Sequence, residues 1–147
     1  PSATTIVVVT IAGGHFEVIH AGDSRAYLWR GGHLQRLTAD HSWVAEQERA
    51  GTLTPEEAAR SQYRNIITRC IGAEPAVQLE RRDAERCSAH DLFLLSSDGL
   101  HGLVDEPEIV AVLASGSTLQ EIADRLVELA NERGGTDNIS VVVARIE

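Results

Sequence analysis

Thr4 to Ile11 is an unbroken run of β-branched and apolar residues, the composition of a buried strand. Ala12-Gly13-Gly14 turns the chain into a returning strand, in which Phe16, Val18 and His20 alternate with Glu17 and Ile19. After Ala21-Gly22-Asp23-Ser24-Arg25 a third strand is predicted from Ala26 to Arg30. Gly31-Gly32 turns the chain again, and His33 to Leu37 pairs back. This opening stretch reads as a meander of antiparallel strands.

The period then changes. Ser42 is placed to cap a helix from Trp43 to about Ala50, closed by Gly51. Thr54-Pro55-Glu56-Glu57 is a capping box with proline in the first turn, which predicts a short helix to about Ser61. Residues 42–65 are therefore helical and polar between two sheet regions, the pattern of an inserted flap. Asn65 to Cys70 is short and apolar, Ala73-Glu74-Pro75 is a break, and Val77 to Arg82 alternates like a strand with one open face. Asp91 to Ser97, around Leu92-Phe93-Leu94-Leu95, reads as a buried strand. One helix is predicted over about Glu106 to Ala114 with Asp105 as its cap. Another starts at Thr118, where the box Thr118-x-x-Glu121 precedes an amphipathic face of Leu119, Ile122, Ala123, Leu126, Leu129 and Ala130. Ile139 to Ile146 is the last strand. The order fits one α+β domain of 147 residues, with a mostly antiparallel sheet beneath helices.

Composition narrows the partners. With 43% hydrophobic and 24% charged residues the chain is globular. A net charge of −9 argues against nucleic acid or an anionic membrane surface. No apolar run approaches the ~18 residues of a membrane span. Cys70 and Cys87 have no metal-type spacing, and a reduced, cytoplasmic setting is the default for them. The chain contains no Met and opens almost inside a strand, so it is expected to be a piece of something longer.

Three acids share one local setting. Asp23 follows Gly22 between two strands, Asp98 sits between Ser97 and Gly99 at a strand end, and Asp137 follows Gly134-Gly135-Thr136 at the mouth of the last strand. Small neighbours permit sharp turns and close approach of an ion, and carboxylate oxygens suit Mg²⁺ or Mn²⁺. Each motif alone also reads as an ordinary turn, and Asn138 as a side chain bonded to its own backbone. The combination carries the argument.

The combination resembles the PPM-type, protein phosphatase 2C-like, metal-dependent serine/threonine phosphatases. The matching stretches are "SATT", "AGDSRAYLWRGGHLQRLTADHS", "GTLTPEEAARSQYRNIITRCIG", "DLFLLSSDGLHGLVDEPEI" and "GGTDNISVVVARI", in the family's order and at its spacing. The resemblance implies two antiparallel sheets packed as a sandwich flanked by helices. It implies hydrolysis of phosphoserine and phosphothreonine with Mn²⁺ or Mg²⁺, two or three ions in the complete domain. On this resemblance Asp98 and Asp137 would bind the first metal, Asp23 would help hold a third, weaker one together with Asp98, and Asn138 would orient its neighbours from behind. Residues 42–65 would be the flap that shapes substrate access. The implied partners are phosphorylated proteins, opposite a serine/threonine kinase.

The family's early segment, with its phosphate-contacting Arg and an Asp-Gly followed by Gly-Gly-His, has no counterpart here. The resemblance therefore covers the C-terminal part of one catalytic domain, incomplete at the N-terminus, and none of the six histidines is assigned as proton donor. A non-catalytic regulatory or binding module of the same fold is the alternative, and the three retained acids count against it. Arg25 and Arg69 are expected to pair with acids near the site, His41 to be structural near the flap base, His101 to serve a local turn, and Trp29 and Trp43 to pack.

Overall fold

Leu92, Phe93 and Leu94 are all buried because the strand that carries them has a core on each side. The computed structural model of the chain, which describes residues 2–147, places this strand, β6 (Leu92–Ser96), inside an antiparallel sheet of order β4-β3-β6-β7. Its neighbours are β3 (Arg25–Arg30), β4 (His33–Arg36) and β7 (Val141–Arg145). A three-stranded antiparallel sheet of order β1-β2-β5 lies against one face, built from β1 (Ile6–Ala12), β2 (His15–Ala21) and β5 (Glu80–Arg86). Phe16, Val18, Leu28, Leu37 and Phe93 fill the space between the sheets, and the Phe16 and Phe93 rings meet edge to face at 4.9 Å. On the opposite face Tyr27, Leu92 and Leu94 pack against Leu100, Ile109 and Leu126 of the helices α3 (Asp98–His101), α4 (Glu106–Leu113) and α5 (Leu119–Glu132). Each fully buried side chain of this size contributes about 1.5–3 kcal/mol, so the doubly covered β3 and β6 anchor the molecule. The expected sandwich flanked by helices is what forms.

The remaining helices are α1 (Trp43–Arg49) and α2 (Pro55–Arg60). The predicted caps form: Ser42, Thr54, Asp105 and Thr118 each accept the N–H three residues on, and the last three complete reciprocal boxes with Glu57, Glu108 and Glu121. Residues 42–65 bury little beyond Val44 and Ala58, while Trp43 and Tyr63 meet edge to face at 5.3 Å. Trp29 packs partly buried against the helix-side core. Among the described residues no helix is long and apolar enough to cross a membrane.

Two expectations change. β1 is not fully buried. Val7 and Val9 lean on the inter-sheet core, but the strand is an edge and Ile11 is 46% exposed. A β-branched run reports strand propensity and does not say whether both faces are covered. The strand predicted over 77–82 lies instead at 80–86, paired with β2 from His20↔Glu80 to His15↔Arg86. Its side chains are almost all charged, so its periodicity is invisible, and Val77 and Leu79 lie just before it. Asn65 to Cys70 contributes a single bridge, Ser42↔Ile67, and the next residue makes another, Thr4↔Ile71. Asp98 lies just past the end of β6, as expected, and opens the one-turn helix α3.

Candidate metal centre

The strand register puts the three acids on one rim. Arg25 of β3 is opposite Ser96 of β6, and Ser96 is opposite Val141 of β7, so one cross-strand row runs through all three strands. Asp23 lies just before this row, Asp98 just after it, and Asp137 in the loop that leads into it. Antiparallel pairing thus gathers carboxylates that are far apart in sequence.

Backbone contacts fix the loops. Ser97 occupies the N-cap position of α3 but makes no side-chain cap bond. Its Oγ instead accepts the N–H of Ser140 at 3.0 Å and donates to the carbonyl of Asn138 at 3.3 Å, and its own N–H donates to the Ser140 carbonyl at 3.0 Å. The Asp98 and Asp137 loops are thereby stitched together. Gly99 lets them touch, since a Cβ there would collide with the Asn138 carbonyl. The Asn138 N–H donates to Asp137 Oδ1 at 2.7 Å. On the other side Gly22, at φ +121°, approaches Thr5 so closely that a Cβ would lie 2.6 Å from the Thr5 Cβ. Ser24 Oγ and Thr5 Oγ1 are 2.7 Å apart.

Electrostatics links the acids in a row. Burial, and then the Asp98 charge, push the Asp23 carboxyl up to about 6. Burial, and then the Asp137 charge, push Asp98 upward as well. Asp98 is the middle member, with an acid on either side. Among the described residues the three do not draw their oxygens to within 4.8 Å of one another as a trio. A cleft of about 620 Å³ lies beside Asp98, Asp137 and Asn138, walled by Thr5, Asn65 and Ile67. A smaller hollow of about 390 Å³, lined by Ala111, Val112 and Leu129, sits between α4 and α5, away from the three acids.

Other residues fall into place around this rim. Arg25 forms the expected ion pair, donating to Asp40 from Nε at 2.9 Å and from its terminal nitrogen at 2.7 Å. Burial alone would raise Asp40, but the bonds and charge of Arg25 outweigh it and hold the carboxyl below its usual range. Asp40 in turn adds to the negative charge felt by Asp23. Arg69 does not pair with an acid as expected: it donates to the Gln78 carbonyl at 3.1 Å, because the irregular segment before β5 brings a carbonyl within its reach. His101 lies on α3 with Nδ1 3.4 Å from Ser96 Oγ, and burial pushes it down to about 3, leaving it neutral. Sequence reasoning missed Asp40, whose partner is 15 residues away. The run "TADHS" held Asp40 in view, yet no local pattern marks it as a partner of Arg25.

Known proteins resemble the chain in sequence and in fold. A family profile described as protein phosphatase 2C matches residues 1–50. A putative protein phosphatase 2C-type of Streptococcus pyogenes is 38% identical over 144 residues, covering 98% of this chain and 58% of that protein. The solved structure of the S. agalactiae serine/threonine phosphatase superposes with a TM-score of 0.93 at 39% identity, over 99% of this chain and 60% of that one. The catalytic domain of the serine threonine protein phosphatase PstP, solved in complex with 2 manganese ions, gives a TM-score of 0.83 at 36% identity, over 99% of this chain and 60% of that one. The chain thus spans about 58% of the length of the S. pyogenes relative.

Proposed function

The chain belongs to the protein phosphatase 2C family, and on that premise we propose that the protein carrying it is a metal-dependent serine/threonine phosphatase acting on phosphoserine and phosphothreonine in proteins. The observation that carries this reading is the row Asp23–Asp98–Asp137, of which Asp98 and Asp137 line a cleft, with Asp23 and Asp98 resisting ionisation through burial first and the neighbouring negative charge second. An all-oxygen donor set of this kind fits Mn²⁺ or Mg²⁺. We assign Asp98 and Asp137 to one ion, and Asp23 with Asp98 to a further, weaker one, in a complete domain of two or three ions. Asn138 orients Asp137 through the N–H it donates to Oδ1. Such ions, when bound, supply an activated water and neutralise charge on the phosphoryl oxygens.

The chain's own residues perform the holding and the gating. Arg25 is committed to Asp40, so in this reading it braces the rim and does not contact phosphate. Residues 42–65 form the flap of a catalytic domain whose C-terminal part is 1–147, and Asn65 places its end on the wall of the cleft. The partner within the same domain is its N-terminal segment. In support, β1 and β7 are sheet edges among the described residues, with Ile11 46% and Val142 59% exposed, and open edges of this kind take further strands. A cytoplasmic setting opposite a serine/threonine kinase completes the proposal, supported by the net charge of −9 and two free cysteines.

The test is release of phosphate from a phosphothreonine peptide by the protein that carries this chain. Turnover is expected to require Mn²⁺ or Mg²⁺ and to fall by at least ~100-fold in Asp137→Asn. The 147 residues alone are expected to be inactive, since ligands for a second ion are proposed to come from the N-terminal segment. Metal-independent turnover, or full activity in Asp137→Asn, overturns the reading.

A further inference from the structure

His20, His41 and Glu80 bring a nitrogen, a nitrogen and a carboxylate oxygen within 4.8 Å of one another, an arrangement that invites a cation. The hydrogen bonds exclude one. Nδ1 of His41 accepts the N–H of Gly22 at 3.0 Å, so the neutral ring carries its proton on Nε2. Nε2 of His20 lies 2.8 Å from the Ala39 carbonyl, which only an N–H can satisfy. Both nitrogens that face Glu80 are N–H groups with no lone pair to give a metal.

The role of the cluster is visible from Gly22. The main-chain N–H of His41 donates to the Gly22 carbonyl at 3.0 Å, while its ring accepts the Gly22 N–H. One residue therefore holds both backbone polar groups of Gly22. That glycine has a positive φ, is pressed against Thr5, and immediately precedes Asp23. The His41 ring is itself tightly defined. It is 3% exposed, stacks on His20 at 4.3 Å with planes 5° apart, and its Nε2 faces Glu80 at 3.5 Å without a formal hydrogen-bond partner. Stacking fixes the ring plane, and an acid beside Nε2 favours the tautomer that leaves Nδ1 free to accept.

We propose that His41 is the positioning residue of the Asp23 loop, acting through Gly22 and touching neither ion nor substrate. Its consequence for metal binding rests on the reading of Asp23 as a cation ligand. Two substitutions in the complete protein separate its functions. His41→Asn keeps an acceptor where Nδ1 was. His41→Gln keeps a polar group where Nε2 was but removes that acceptor. The Gly22 amide should stay slow to exchange in the Asn variant and speed up at least ~10-fold in the Gln variant. Mn²⁺ affinity at the weak site should fall about 10-fold in the Gln variant and be rescued in the Asn variant, the size of effect typical of groups behind a metal ligand. Equal Gly22 exchange in the two variants overturns the hold of His41 on the loop, whatever binds there. Asp23→Asn, run alongside, is expected to lose the weak site, and unchanged Mn²⁺ binding in it overturns the cation reading instead.

Discussion

The main-chain carbonyl of Asn138 rests against the Cα of Gly99, where any Cβ would come within 2.9 Å of the carbonyl carbon. Because Asp98 and Asp137 are the residues just before these two, this contact sets how far apart the two carboxylates stand. Gly99→Ala is expected to push the loops apart and to destabilise the fold by about 1–3 kcal/mol, the usual cost of overpacking. Calorimetric titration should show Mn²⁺ affinity reduced by about 10-fold or more, as for other displaced ligands. Native affinity in this variant would show that the contact sets nothing.

Metal should stabilise the fold. At 100 times its dissociation constant Mn²⁺ is expected to add about 2.7 kcal/mol, seen as a raised thermal midpoint. Asp98→Asn removes the charge that has an acid on either side. It should melt higher than the parent without metal and should no longer respond to Mn²⁺. A midpoint indifferent to millimolar Mn²⁺ in both proteins contradicts the site.

Acid should act through Asp91. Its carboxylate is 1% exposed and is gripped by Arg30 at 2.7 and 2.6 Å, with the Ser88 N–H donating at 2.7 Å. The Arg30 hydrogen bonds hold its pKa below the ordinary 3.8. A depressed carboxylate stabilises the fold above its unfolded value, and that contribution is lost as pH falls through the folded value. Arg30→Ala is therefore expected to cost about 3 kcal/mol at neutral pH by stranding a buried charge. The difference from the parent should narrow below pH ~4. Urea melts at several pH values test this, and a pH-independent difference would rule out the charge as its cause.

Hydrogen exchange should rank the elements by how many faces are covered. Amides of β3 and β6, in the middle of one sheet with a core on each side, should be the slowest. Those of 42–65, with little buried beyond Val44 and Ala58, should be the fastest. The edges β1 and β7 should fall between. Protection in the helices of 42–65 equal to that in β6 would contradict the flap assignment.

What was legible in the sequence was local. Caps at Ser42, Thr54, Asp105 and Thr118 announce themselves within four residues, and Asp23, Asp98 and Asp137 stand out because each lies at the end of an apolar strand within two residues of a glycine. The burial of β1 was not legible, because coverage depends on a neighbour and not on the strand. β5 was hidden by its charges, which serve pairs such as Arg81 with Glu17 across the sheet. Asp40 and His41 matter through Arg25 and Gly22, contacts closed by the β3–β4 hairpin, and no spacing within either segment encodes them.

The cross-strand row Arg25–Ser96–Val141 also divides the molecule into a calibrated end and a permissive one. The turn Gly31-Gly32 closes the far end of β3, roughly 20 Å along the strand from Asp23, with nothing within 4 Å of where side chains would sit. A reporter domain or epitope spliced there should leave the rim untouched. A single extra residue between Ser96 and Asp98 should act like a misprint on a ruler, carrying one carboxylate past its mark while every strand remains paired.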